Sequence, residues 1–215
     1  MKLHDRTQRL VVVAMFVGII FLLGFTPAGF IPLPHMRATT IHIPVIVGAL
    51  LLGPKAGAFL GFMFGIVSLI NNTINPVITS FVFSPFYNLP GQERGSWMAL
   101  IVVFVPRILV GVTPWLASKG LKKAMEGRNM PINWAISGVV GSLTNTLLVM
   151  NLIFFLFGED WHMAARGVSA VYATILGIVA MNGIPEAVIA GVIVAALMGA
   201  LSVALKPRSR QGEIS

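Results

Sequence analysis

Cysteine is absent from the 215 residues, and charge is scarce, at 10% of positions against roughly 25% in an average soluble domain. The first absence excludes a disulfide framework, a thiolate metal site and a cysteine nucleophile. The second excludes a water-exposed surface of ordinary make-up, because 56% of the chain is hydrophobic and mean hydropathy is +0.88. Acids are rarer still, 7 in all, with no carboxylate pair for acid–base chemistry and no acidic proton relay. No His-x-x-x-His or acidic cluster suggests a metal, and no G-x-x-x-x-G-K-[ST] suggests nucleotide hydrolysis. No cofactor is implied. Any active transport therefore draws energy from an ion gradient or another subunit, and the missing relay favours the subunit.

What is present is apolar and helical in pattern. A membrane span takes roughly 20 apolar residues, so this length accommodates about six spans in a single membrane domain, 1–215. The expected spans are about 10–25, 41–52, 56–70, 97–117, 132–157 and 184–205. The basic opening and the run Leu10 to Phe25 imitate a secretory signal, but no small-x-small cleavage site follows. Residues 27–39 carry three prolines and read as a structured non-helical loop, and 71–96 read as a long loop of mixed character.

The net charge of +8 has to be located before it means anything. With six spans, Lys2, Arg6, Arg9, Lys55, Lys119, Lys122, Lys123, Arg128, Lys206, Arg208 and Arg210 share one side. The other side has only Arg37, Arg94 and Arg166, offset by Glu93, Glu159 and Asp160. This is the positive-inside asymmetry, and it places both termini in the cytoplasm against anionic lipid. Nucleic acid is not an expected partner.

Small residues recur every fourth position as Gly53, Gly57, Gly61 and Gly65 in the third span, and as Ala187, Gly191, Ala195 and Gly199 in the sixth. Such stripes let neighbouring backbones approach, and bundle assembly explains them. The first span has one pair, Ala14 and Gly18, on a helix otherwise covered with bulky residues. That pair suits internal contact or docking to a separate membrane protein.

Polar groups within spans carry the functional signal, since an intramembrane charge is costly unless paired or hydrated. Arg107 lies mid-span beside Pro106. It reads either as the counter-ion of an anionic substrate, gripped through two parallel hydrogen bonds, or as a structural partner of Glu186. Glu186 itself stands at a helix start, where it also suits the dipole. Asn145 shares a face with Gly141 and Ser137, and serves as interhelical glue or as a ligand contact. Asn71, Asn72 and Asn182 cap loops in the plainer reading. Trp97, Trp115, Trp134 and Trp161 lie near span ends and suit an aromatic belt. His42 opens the second span.

The blocks ATTIHIPVIVGALLLGPKAGAFLGFMFGIVSLINN, SFVFSPF, FVPRILVG and NGIPEAVIAG, in that order, resemble the substrate-binding S components of energy-coupling factor (ECF) vitamin transporters. The likeness runs over about 10–205 and is most like the pantothenate type. It implies an all-α integral membrane fold, a six-helix S-component bundle with both termini cytoplasmic. It also implies a non-enzymatic subunit working with a transmembrane T component and two ATP-binding-cassette ATPases. S components dock through an Ala-x-x-x-Ala face on the first helix, which here reads Ala14 to Gly18, with Gly in the second place. Pantothenate is a carboxylate with two hydroxyls and an amide. The resemblance thus implies Arg107 as counter-ion, Asn71 and Asn145 at hydroxyl and amide groups, and Asn182 and Trp97 as pocket walls. Riboflavin, folate or a thiamine precursor are the alternative vitamins, and an integral membrane enzyme is the rival class.

Overall fold

The computed structural model describes residues 6–32, 37–76, 80–88, 95–157 and 183–204, with the isolated positions Gly177 and Met181. Of 30–38 it describes the strand backbone alone. The described chain is a helical bundle with one small hairpin. Helix α1 is Arg6–Gly24, followed by strands β1 (Phe30–Pro32) and β2 (Arg37–Thr39). Then come α2 (His42–Leu52), α3 (Pro54–Ile74), α4 (Met98–Val110), α5 (Thr113–Ala124), α6 (Met130–Phe157) and α7 (Ile184–Ala204).

Among the described residues, five segments are long and apolar enough to cross a membrane: α1, α3, α4 with α5, α6 and α7. Helix α2 is different. Its 11 residues rise only about 16 Å, roughly half of a bilayer core. It is instead buried along nearly its whole length, from His42 through Ala49, as the central rod of the bundle. Ile20 of α1, Val45 and Ile46 of α2, Phe64 of α3 and Val194 of α7 form the core around it. The apolar residues left exposed, such as Leu10, Met15 and Leu22 on α1 and Val188 and Val192 on α7, face where lipid would lie.

Residues 27–39 were expected to be structured and non-helical, and within them β1 and β2 pair antiparallel with Phe30 opposite Thr39. The structure departs from the sequence expectation at two places. Helix α3 continues to Ile74, so Asn71 and Asn72 belong to its last turns rather than to a loop. The fourth span is not one continuous helix. It breaks at Gly111 and Val112, where Pro114 in the first turn of α5 restarts it with no need of the N–H that proline lacks.

Glycines set the depth at which helices meet. A side chain at Gly57 would strike the backbone of Gly111, one at Gly61 the carbonyl of Arg107, and one at Gly65 the ring of Phe104. Each step of four up α3 is thus matched by a step back along α4, and the two run antiparallel in close contact. Gly191 of the sixth-span stripe likewise meets the Ala135 carbonyl and Val139 of α6, whereas Gly199 has open space. The basic residues Arg9, Lys55, Lys119, Lys122, Lys123 and Arg128 gather at one end of the bundle, termed here the basic end. There Arg9 donates to the Leu52 carbonyl at 2.8 Å and caps α2.

Candidate functional site

Helix α4 holds a defect of its own making. Pro106 has no N–H, so the carbonyl of Val102, four residues earlier, loses its helical donor. Arg107 repairs this by turning its side chain back along the helix, and Nη1 donates to Val102 O at 2.6 Å. The guanidinium is thereby drawn back toward the level of the preceding helical turn, away from the basic end. It lies between two phenyl rings, 5.5 Å from the centroid of Phe64 and 5.3 Å from that of Phe83.

Arg107 is 4% exposed, and its Nε has no hydrogen-bond partner. Among the described residues the ion pairs are His42–Glu186 and Glu126–Arg128, so no carboxylate neutralises it. The expected alternative of an Arg107–Glu186 pair is corrected here, because Glu186 Oε1 lies 3.6 Å from Nδ1 of His42 instead. The ring contacts are each worth about 0.5–2 kcal/mol and the charged hydrogen bond about 1.5–3. These offset part of a burial cost of several kcal/mol, and no carboxylate of the described residues offsets the rest.

Phe83 belongs to the segment after α3, and that segment is tied down by side chains. Thr73 Oγ1 donates to Leu69 O and so receives a hydrogen bond from Ser84 Oγ, both at 2.8 Å. Tyr87 donates to the Thr73 carbonyl at 2.8 Å, and Ser80 Oγ donates to Asn72 Oδ1 at 3.2 Å. Thr73 and Asn72 of α3 therefore position the segment that covers Arg107.

Helix α6 supplies the opposite wall. A side chain at Gly141 would press on Ile46 of α2 and Pro114 of α5. One turn further along these antiparallel helices, Asn145 comes level with His42. Gly138 meets Gly191 of α7, which puts Glu186 near the same depth. On α2, Gly48 faces Leu60, so His42 stands opposite residue 66 of α3, as Val102 does in the α3–α4 register. The Arg107 guanidinium, His42, Asn145 and Glu186 thus occupy one depth of the bundle, from four different helices.

Most of these groups lack partners. Among the described residues, both ring nitrogens of His42, Oδ1 of Asn145, Oγ of Ser142 and Nε of Arg107 are buried without a hydrogen bond of good geometry, the Thr39 backbone lying beside His42. Buried polar atoms are normally satisfied, so these unpaired groups stand out from the rest of the bundle.

The residues singled out from the sequence are placed as follows. Arg107 on α4 and Asn145 on α6 are both buried and stand at a similar depth of the bundle. Asn71 is buried nearer the end of α3, with its Oδ1 accepting from Asn75 Nδ2 at 3.0 Å. Trp97 stands at the start of α4 and is 73% exposed, at the rim and apart from the buried groups. Asn182 lies outside the described residues. On α1, Gly18 has nothing within 4 Å of an added side chain, and Ala14 is exposed. The His42–Glu186 contact was not foreseen, although a histidine at a span start and a lone acid near another were both visible.

Residues 8–198 match the family model described as ECF transporter, substrate-specific component. The pantothenic acid transporter PanT of Lactococcus lactis subsp. cremoris is 36% identical over 174 residues, 80% of each chain. The pantothenate transporter PanT of Leuconostoc mesenteroides is 29% identical over 96% of this chain and 97% of its own. Among solved structures, the S-component for biotin from an ECF-type ABC transporter superposes with a TM-score of 0.52 at 20% identity, over 93% of this chain and 95% of that one.

Proposed function

Because the chain belongs to the substrate-specific components of ECF transporters, we propose that the groups around Arg107 are its vitamin site and that the vitamin is pantothenate. The transporter relatives and the five membrane-length apolar helices make it a multi-pass cell-membrane protein. Its family role is substrate binding rather than catalysis. The observation that carries the substrate reading is Arg107: a buried guanidinium, held in place by Val102 and two rings, with no described carboxylate beside it. An anion complements that guanidinium in charge, and pantothenate supplies one. The names of the two relatives point the same way.

The basic end faces the cytoplasm by the positive-inside asymmetry, with both termini there, and the vitamin site opens toward the opposite face. Six spans form one membrane domain over 1–215, with α2 and the hairpin together filling the second. Delivery requires a transmembrane T component and two ATP-binding-cassette ATPases. The Ala14–Gly18 face of α1, open and unburied, is the docking surface for the T component.

The test is ligand binding by the purified full chain against a panel of vitamins. Pantothenate binds saturably, and Arg107→Ala weakens it by about 2–5 kcal/mol, at least about thirty-fold, as for one partner removed from a buried charge pair. Preferential binding of riboflavin, folate or a thiamine precursor, or an affinity indifferent to Arg107→Ala, overturns the assignment.

A further inference from the structure

His42 is 2% exposed in the centre of the bundle, with the Thr39 backbone beside it and neither ring nitrogen in a hydrogen bond of good geometry. Apolar residues of similar size would fill this position on α2 more cheaply, since an unsatisfied buried polar group costs about 1–3 kcal/mol. Glu186 is the charge that faces it. At 3.6 Å from Nδ1 the contact is too long for a good hydrogen bond, yet close enough for the carboxylate field to hold the ring proton on Nδ1. Nε2 then presents a lone pair. Asn145, level with His42 across the α2–α6 contact and 9% exposed, presents a second unpaired acceptor, Oδ1.

The site thus offers complementary halves: a cation on α4, and two acceptors on α2 and α6. We propose that His42 Nε2 and Asn145 Oδ1 accept hydrogen bonds from the two hydroxyls of a ligand whose carboxylate Arg107 holds, with Glu186 as the positioning residue for the His42 ring. His42 thereby becomes a specificity residue for the diol end of the substrate. This rests on the pantothenate reading above and adds to it a reason for rejecting anionic vitamins without hydroxyls. A site built to pair hydroxyls discriminates strongly against an analogue lacking them, because its own buried groups are left unpaired.

The experiment compares two ligands on three forms of the full-length chain. The ligands are pantothenate and N-(3,3-dimethylbutanoyl)-β-alanine, which keeps the amide and carboxylate and lacks both hydroxyls. The wild type prefers pantothenate by at least about a hundred-fold, the discrimination expected of a site that hydrogen-bonds its substrate. In His42→Phe the preference falls by about ten-fold or more while affinity for the dideoxy analogue stays within about two-fold, which also reports an intact fold. His42→Gln, whose amide oxygen still accepts, recovers part of the preference. If both ligands weaken equally in His42→Phe, or if that variant does not fold and His42→Leu, which has no acceptor, keeps the wild-type preference, His42 is structural and the proposal falls. If the wild type binds no pantothenate at all, the substrate reading itself has failed, and the diol assignment with it.

Discussion

Arg107 donates to the carbonyl of Val102 at 2.6 Å, the very acceptor that Pro106 leaves without a helical donor. One proline thus both breaks the backbone ladder of α4 and aims the arginine. A guanidinium free to extend would swing away from α4; this one is drawn back along it and kept between Phe64 and Phe83.

The coupling is measurable. Pro106→Ala returns an N–H to position 106. In an Arg107→Ala background it rescues an otherwise orphaned Val102 carbonyl, whereas in the wild type that carbonyl is already served. The stabilisation by Pro106→Ala is therefore about 1–3 kcal/mol larger in the Arg107→Ala background. A double-mutant cycle of melting temperatures in detergent reads it, and equal shifts in both backgrounds refute it. Pantothenate binding stays lost in the double variant, because the backbone repair supplies no cation.

Phe83 covers the guanidinium from the segment that Thr73, Ser84 and Tyr87 tie down. Replacing it by Leu keeps apolar cover and removes the ring face, a loss of about 0.5–1 kcal/mol at a partly screened site. The affinity for pantothenate falls about two- to five-fold, measured by titration calorimetry. An unchanged affinity means that the ring is only a plug.

The glycines of α3 differ from that of α5 in what a methyl would meet. At Gly57 it meets the Gly111 backbone, which has no rotamer with which to yield, so Gly57→Ala destabilises by about 1–3 kcal/mol. At Gly120, exposed within α5, there is open space, and Gly120→Ala stabilises by about 0.5–1 kcal/mol. Thermal unfolding of the two variants side by side checks the opposite signs.

On α1, Gly18 faces open space, so Gly18→Leu leaves the bundle and its pantothenate affinity intact. Co-expressed with a T component and its ATPases, the same variant is lost from the complex, because the bulky side chain fills the small face. Normal co-purification would remove Ala14 and Gly18 from the docking surface.

Much of this was legible from composition and spacing. Apolar runs mark helices wherever they are long, since backbone groups in lipid pair only within a helix or a closed barrel. The third-span stripe was read as a contact face, and Gly57, Gly61 and Gly65 do meet α4. Arg107 stood out because nothing else charged lies mid-span. Asn71, by contrast, was read as a ligand contact or loop cap, and the structure shows a helix that continues past it and an Oδ1 accepting from Asn75. Helix length was misjudged there because asparagine disfavours a helix interior only weakly, and contacts with the following segment outweigh it.

The sequence by itself determined which stretches are apolar helices, which end of each carries the basic residues, and that one arginine is left without a lipid-compatible explanation. Those properties are local: hydropathy and helical periodicity are summed over neighbours in the chain. Only the tertiary structure decided that Glu186 answers His42 rather than Arg107, across a separation of more than a hundred positions. That choice depends on the depth at which α2, α4, α6 and α7 meet. The depth is set by glycine contacts between helices far apart in the chain, which no local pattern records.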